Sequence, residues 1–148
     1  MGFSPILLLT VPFIIANGPV FMEFHQLSFC TVKVLRNDLA EVVINEGVEV
    51  SLSQLNEAES FLIEQLTAPF SLVMNKLNHY SFHFDAQLKM GTYQQLNAVA
   101  VVSYNKSSDP LIEALKKVPR SKVWNLQIFS NREDAIDWAK SQQAQLAS

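Results

Sequence analysis

Cysteine, glycine and excess charge are all scarce in this chain, and each scarcity removes a class of chemistry. Cys30 is the only cysteine among 148 residues. No internal disulfide can form, which fits a reducing, cytoplasmic setting. Cys30 also lies in an apolar stretch (Leu27 to Val32), where the plainer reading is a buried small hydrophobe. A reactive thiol needs a partly exposed, electropositive setting instead. Only four glycines occur, and none forms a phosphate-cradling loop. No Gly-x-Ser-x-Gly elbow is present to serve a nucleophile. With 11 basic and 14 acidic residues, the net charge of −3 is small. Nothing draws the chain electrostatically to nucleic acid or to anionic lipid. No cofactor and no catalytic activity are expected from these motifs. What remains is a globular composition, 49% hydrophobic and 17% charged, long enough for one domain with a real core.

The N-terminus stands apart. Phe3 to Met22 is apolar and carries no charge, at a length near that of a membrane helix. Pro5, Pro12 and Pro19 interrupt it, and no Lys or Arg precedes it as in a signal peptide. From Met22 onward the composition is that of an ordinary soluble domain. The reading is an extension over residues 1–21 that lies outside the fold and arises from an upstream start, followed by a single domain over residues 22–148. A membrane anchor or uncleaved signal is one alternative; a segment packing on the domain is another.

Thr31 to Leu35 and Ala40 to Asn45 alternate or run β-branched on either side of the polar Arg36-Asn37-Asp38, which predicts an antiparallel hairpin. Its exposed edge strand is a surface through which two copies can pair as a homodimer. Ser51 and Gln54 have capping-box spacing. Leu52, Leu55, Ala58, Leu62 and Leu66 follow at helical spacing, with Glu57, Glu59 and Glu64 mostly on the wet face. Ala68-Pro69 closes that helix. Phe70 to Met74 is a short apolar run suited to a central parallel strand. Asn75 to Ser81 reads as a loop, and Phe82 to Met90 as a weak helical segment ending at Gly91. Asn97 to Tyr104 is a buried strand, and Asp109-Pro110 opens a helix with Leu111, Ile112, Leu115 and Val118 as its buried stripe, stopped by Pro119. Leu126 to Phe129 is a further strand. Ser130 and Glu133 have capping-box spacing for a last helix that turns Ala135, Ile136 and Ala139 to the sheet. The expected fold is α/β: one domain in ββαβαβαβα order, with a mixed, mostly parallel sheet covered by helices.

The loop after the central strand Phe70–Met74 is the place to look for a site, since clefts in α/β sheets lie at the carboxyl ends of strands. Its candidates are Asn75, Lys76, Asn78, His79, Tyr80, Ser81 and His83. His79 and His83 are four apart with Asp85 nearby, a spacing that puts two imidazoles on one face of a helix. Tyr80 follows His79 where a zinc-protease helix carries Glu, and only His25 remains as a further imidazole, so no metal is expected. Lys116, Lys117, Arg120 and Lys122 cluster beside Trp124. A solvated helix end explains them; an acidic partner or a phosphate is the sharper alternative. Phe82, Phe84 and Tyr93 read as core.

Ala98-Val99-Ala100-Val101-Val102, Ile128-Phe129, the closing Glu133-Asp134-Ala135-Ile136-Asp137-Trp138 and the Asn75-Lys76 pair together resemble the STAS-like domains. The likeness is to the SpoIIAA-like group of small bacterial proteins and covers roughly Met22 to Ala144. It implies a STAS fold and a regulatory or protein-interaction module. The best-known relatives are anti-sigma factor antagonists, switched by phosphorylation of a Ser at the start of the helix after the third strand. Ser81 is the only aliphatic hydroxyl in the matching stretch Leu77 to Phe82, without the family's preceding Asp or following Gly. Other relatives are lipid-carrier-like domains with an apolar groove. Two functions are therefore expected to compete. One is a module that binds a protein partner through the Asn75–Phe84 loop. The other is a carrier of a small apolar ligand or lipid.

Overall fold

Alternation along the strands decides which way each side chain faces, and so builds the layers of the molecule. The computed structural model describes residues 7–15, 18–104, 110–118 and 124–146. A seven-stranded sheet runs through it in the order β1 (Leu7–Ile15), β2 (Gly18–Gln26), β3 (Cys30–Arg36), β4 (Leu39–Ile44), β6 (Phe70–Lys76), β8 (Leu96–Ser103) and β9 (Leu126–Phe129). Every pairing from β4 to β9 is parallel. The pairings among β1, β2, β3 and β4 are antiparallel. Two short strands, β5 (Glu49–Val50) and β7 (Ser81–Phe82), pair separately in parallel.

The helices follow the expected order: α1 (Leu52–Gln65), α2 (Phe84–Lys89), α3 (Pro110–Lys116) and α4 (Arg132–Leu146). The parallel strands step across the sheet in one direction. Right-handed crossovers therefore put α1, α2 and α3 on the same face. There Phe61 and Leu62 of α1, Ala86 of α2, and Ile112 and Leu115 of α3 are buried with Val32, Ala40, Val42, Ile44, Leu72, Val99 and Val101. The residues between these on the strands face the other way. Leu39, Val73, Ala100 and Val102 pack there against Ala135 and Ala139 of α4. The chain is thus α/β, with helices on both faces of a mixed sheet. The hydrophobic runs of β6 and β8 are continuous because both their faces are covered.

Local signals hold with small displacements. The Ser51–Gln54 capping box forms in full: Ser51 Oγ accepts from Gln54 N–H, and Gln54 Oε1 accepts from Ser51 N–H. The box expected at Ser130–Glu133 moves by one residue. Asn131 Oδ1 accepts from Asp134 N–H at 2.9 Å while Asn131 Nδ2 donates to Asp134 Oδ2 at 2.8 Å. Asn caps as well as Ser, and this register lets Arg132 reach Glu41. The segment expected to be helical from Phe82 begins at Phe84, because Ser81 and Phe82 are taken by β7. The edge expected at the β3–β4 hairpin is occupied by β2 over Glu23–Gln26, leaving β1 and β9 as the outer strands. Asp109 and Pro119 lie outside the described residues.

Among the described residues, two glycines have positive φ, Gly47 at 76° and Gly91 at 75°. A Cβ at Gly47 would meet nothing within 4 Å, whereas one at Gly91 would overlap the Trp124 indole. Gly47→Ala should therefore cost only the left-handed backbone penalty, about 1 kcal/mol. Gly91→Ala adds forced displacement of Trp124 and should cost roughly 2–4 kcal/mol. Urea unfolding midpoints for the two variants check this; equal losses would contradict the close packing of Trp124 on Gly91.

Candidate functional site

Two of the crossover helices, α1 and α3, leave a space between themselves and the strands. This cavity measures about 110 Å³. A cavity needs only on the order of 10–15 Å³ to admit one water, so this one has room for several, or for an organic group. Its wall includes Lys76 at the carboxyl end of β6 and Leu96 and Leu126 at the amino ends of β8 and β9. It therefore runs the length of the strands. Val42, Ile44, Leu72, Met74, Val99 and Val101 form its floor. Leu55, Ala58 and Leu62 of α1 and Ile112 and Leu115 of α3 form its roof. Trp124 and Gly91 line it where β9 begins.

Two residues alter its electrostatics. Glu59 lines the cavity from α1, although its place among the glutamates suggests the wet face. It sits at i+4 from Leu55 and i−3 from Leu62, on the apolar side of the helix. Burial raises its pKa, with Lys89 opposing. Burial, then the negative charge of Glu59, raises that of Tyr93 as well. Cys30, fully buried, also lines the cavity. Burial first and the charge of Glu57 second push its thiol up to about 12.

The residues singled out in the Asn75–His83 stretch do not form one cluster. Lys76 and Tyr80 line the cavity, with Lys76 Nζ 5.6 Å from the Tyr80 ring centre. Tyr80 packs edge-on to Phe82, 5.7 Å between centroids. Asn75 points to the opposite face. Its Nδ2 donates to Glu41 Oε2 at 2.8 Å, and its Oδ1 accepts from the Tyr104 hydroxyl at 2.8 Å. Asn78 Nδ2 donates to the Ile44 carbonyl at 2.9 Å, which ties the loop to β4. His79 is exposed, 3.5 Å from Glu46, and His83 lies 3.4 Å from Glu49. With β7 between them, the two histidines do not share a helix face. Among the described residues, no three His, Cys, Asp or Glu side chains gather to hold a metal. Ser81 is exposed in β7, ahead of α2, and its N–H donates to the Val48 carbonyl. Arg120 and Lys122 of the basic cluster lie outside the described residues.

The opposite face carries a polar anchor that the sequence reading passes over. Glu41 is 5% exposed. Arg132, the first residue of α4, clamps it through Nε and Nη2 at 2.8–3.0 Å. At the far end of α4, Gln143 Nε2 donates to Asp38 and to the Pro69 carbonyl, and its Oε1 accepts from Ser71 and Asn97. A charged residue inside an otherwise buried strand, Leu-Ala-Glu-Val-Val-Ile, was the readable signal for this anchor.

No family model, no curated protein and no solved structure matches this chain. Among the described residues, no helix is long and apolar enough to cross a membrane.

Two outcomes follow from these environments. Burial alone would raise the Glu41 pKa, but hydrogen bonds from Arg132 and Asn75 and the charges of Arg132 and Lys33 outweigh it and hold it below 4.5. A depressed folded-state value means that the folded protein takes up this proton less readily than the unfolded chain. Its stabilisation is complete above the ordinary carboxylate range and is lost as pH falls through the folded value. Glu41→Gln should cost about 2 kcal/mol at pH 7 and flatten the fall in stability below about pH 4.5. Urea titrations from pH 7 to 3 test this; an unchanged acid limb would show that the pair does not carry it. Separately, Cys30 should resist an aromatic disulfide reagent at pH 8 and react only on unfolding, since its thiolate is scarce. Full labelling of the folded protein within minutes would contradict its burial.

Proposed function

We propose that the chain is a non-catalytic binding module that holds a small apolar ligand in the cavity between the sheet and the helices α1 and α3. One observation carries this reading: the cavity is walled almost wholly by apolar side chains along the length of the parallel strands. Close-packed cores rarely keep such space empty. Concave, mostly apolar sites with a few polar groups are the usual form of small-molecule pockets. The resemblance to STAS-like domains of the SpoIIAA-like group points the same way, since their relatives include lipid-carrier-like domains with an apolar groove. Lys76 and Tyr80 stand at the carboxyl end of the strands, where a ligand would enter.

A second reading is a regulatory module that docks a protein through the Asn75–Phe84 loop, with Ser81 as a phosphosite. The exposure of Leu77 and Phe84 beside Ser81, His79 and His83 favours it. A like-charged phosphate near Glu46 and Glu49 works against it.

An elongated apolar fluorophore separates the two. The full chain should bind it one to one, with a change in emission from Trp124, which lines the cavity. Trp138 packs against Phe129 on the other face and serves as the internal control. Ala58→Phe places a ring in the cavity and should weaken binding at least tenfold while holding or raising Tm. Failure of the native chain to bind, or equal binding by Ala58→Phe, would sink the carrier reading.

A further inference from the structure

Glu59 is out of place in an apolar wall. Its Oε1 is shielded from solvent and accepts no hydrogen bond. A buried oxygen in this condition costs stability that the empty protein does not recover. The residue is not forced into the cavity by a lack of alternatives. Glu57 and Glu64, on the same helix, are not among the lining residues. Leucine at position 59 would continue the stripe of Leu55 and Leu62. A buried polar atom that breaks local consistency without a hydrogen-bond partner is what a functional position is expected to show.

We propose that Glu59 is the anchor for the ligand's head group, and that the ligand is an apolar molecule bearing a hydrogen-bond donor, an alcohol or an amine. This rests on the reading of the cavity as a ligand site. In its ionised form Glu59 only accepts, and so selects a ligand that donates. A carboxylate head would meet the Glu59 charge at close range in a water-poor space and be rejected. The aromatic neighbours Tyr93 and Trp124 suit the flat or methylene-rich body beside the head, and their faces tolerate an ammonium.

Calorimetric titration of the full chain with four ligands of one chain length tests the assignment: 1-octanol, octylamine, octyl methyl ether and octanoate. The alcohol and the amine should bind at least tenfold more tightly than the ether, which lacks only the donor, and octanoate should bind most weakly. Glu59→Leu should erase the preference of alcohol over ether and raise Tm, because it removes a buried, unpartnered oxygen. Glu59→Gln keeps an acceptor oxygen and should retain the preference for the alcohol. Equal binding of alcohol and ether by the native chain overturns the anchor and leaves the cavity reading standing. So does a preference that survives Glu59→Leu, tighter binding of octanoate, or a lowered Tm in Glu59→Leu. If none of the four binds, both readings fall together.

Discussion

Central parallel strands must be covered on both faces, and the rest of this structure follows from how that is done. The backbone groups of β4, β6 and β8 are paired on both sides within the sheet, but their side chains project to both faces. Three crossovers of one hand place α1, α2 and α3 on the same face. Among the described residues, α4 alone covers the other face. The two faces therefore meet the same requirement by different means.

On the α4 face the contact is close and mixed. Small residues, Ala135 and Ala139, let the helix approach β8 and β6. Polar clamps at its two ends, Arg132 on Glu41 and Gln143 on Ser71 and Asn97, set its position along the strands. A buried carboxylate is costly alone, so Glu41 requires Arg132, and Arg132 in turn fixes where α4 begins. This explains why α4 is capped by Asn131 rather than Ser130. The local capping energies are similar, and the tertiary ion pair decides between them.

On the other face the helices arch over the strands, and the space beneath them is apolar apart from a few side chains, Glu59 among them. The same two-sided sheet thus supplies the floor of the cavity, and α1 and α3 leave room above it. A carrier requires that combination. Its specificity would rest on the polar exceptions in the wall rather than on the apolar majority, which gives affinity without direction.

Much of the scaffold could be read from the chain by itself. The run β3, β4, α1, β6, α2, β8, α3, β9, α4, the Ser51–Gln54 cap, the turn at Gly91 and the inward Ala135 and Ala139 depend on neighbours three or four residues apart, or on strand periodicity, and such local rules survive folding. The candidate site was legible only in part. Lys76 and Tyr80 reach the cavity, but Asn75 turns to the opposite face because successive residues on a strand alternate. Ser81 was drawn into β7 by pairing with β5, a partner some thirty positions away, which no local pattern announces. Glu59 looked like one of several surface glutamates, and Glu41 like an isolated charge. Their meaning depends on what lies across the fold: no donor at Oε1, for Glu59, and Arg132, for Glu41. Sequence determined the four helices and the strands β3, β4, β6, β8 and β9 in their order, because those rest on short-range periodicity and caps. Tertiary structure alone decided which polar groups are paired, which are left facing a cavity, and that a cavity exists at all, because those depend on contacts between residues far apart in the chain.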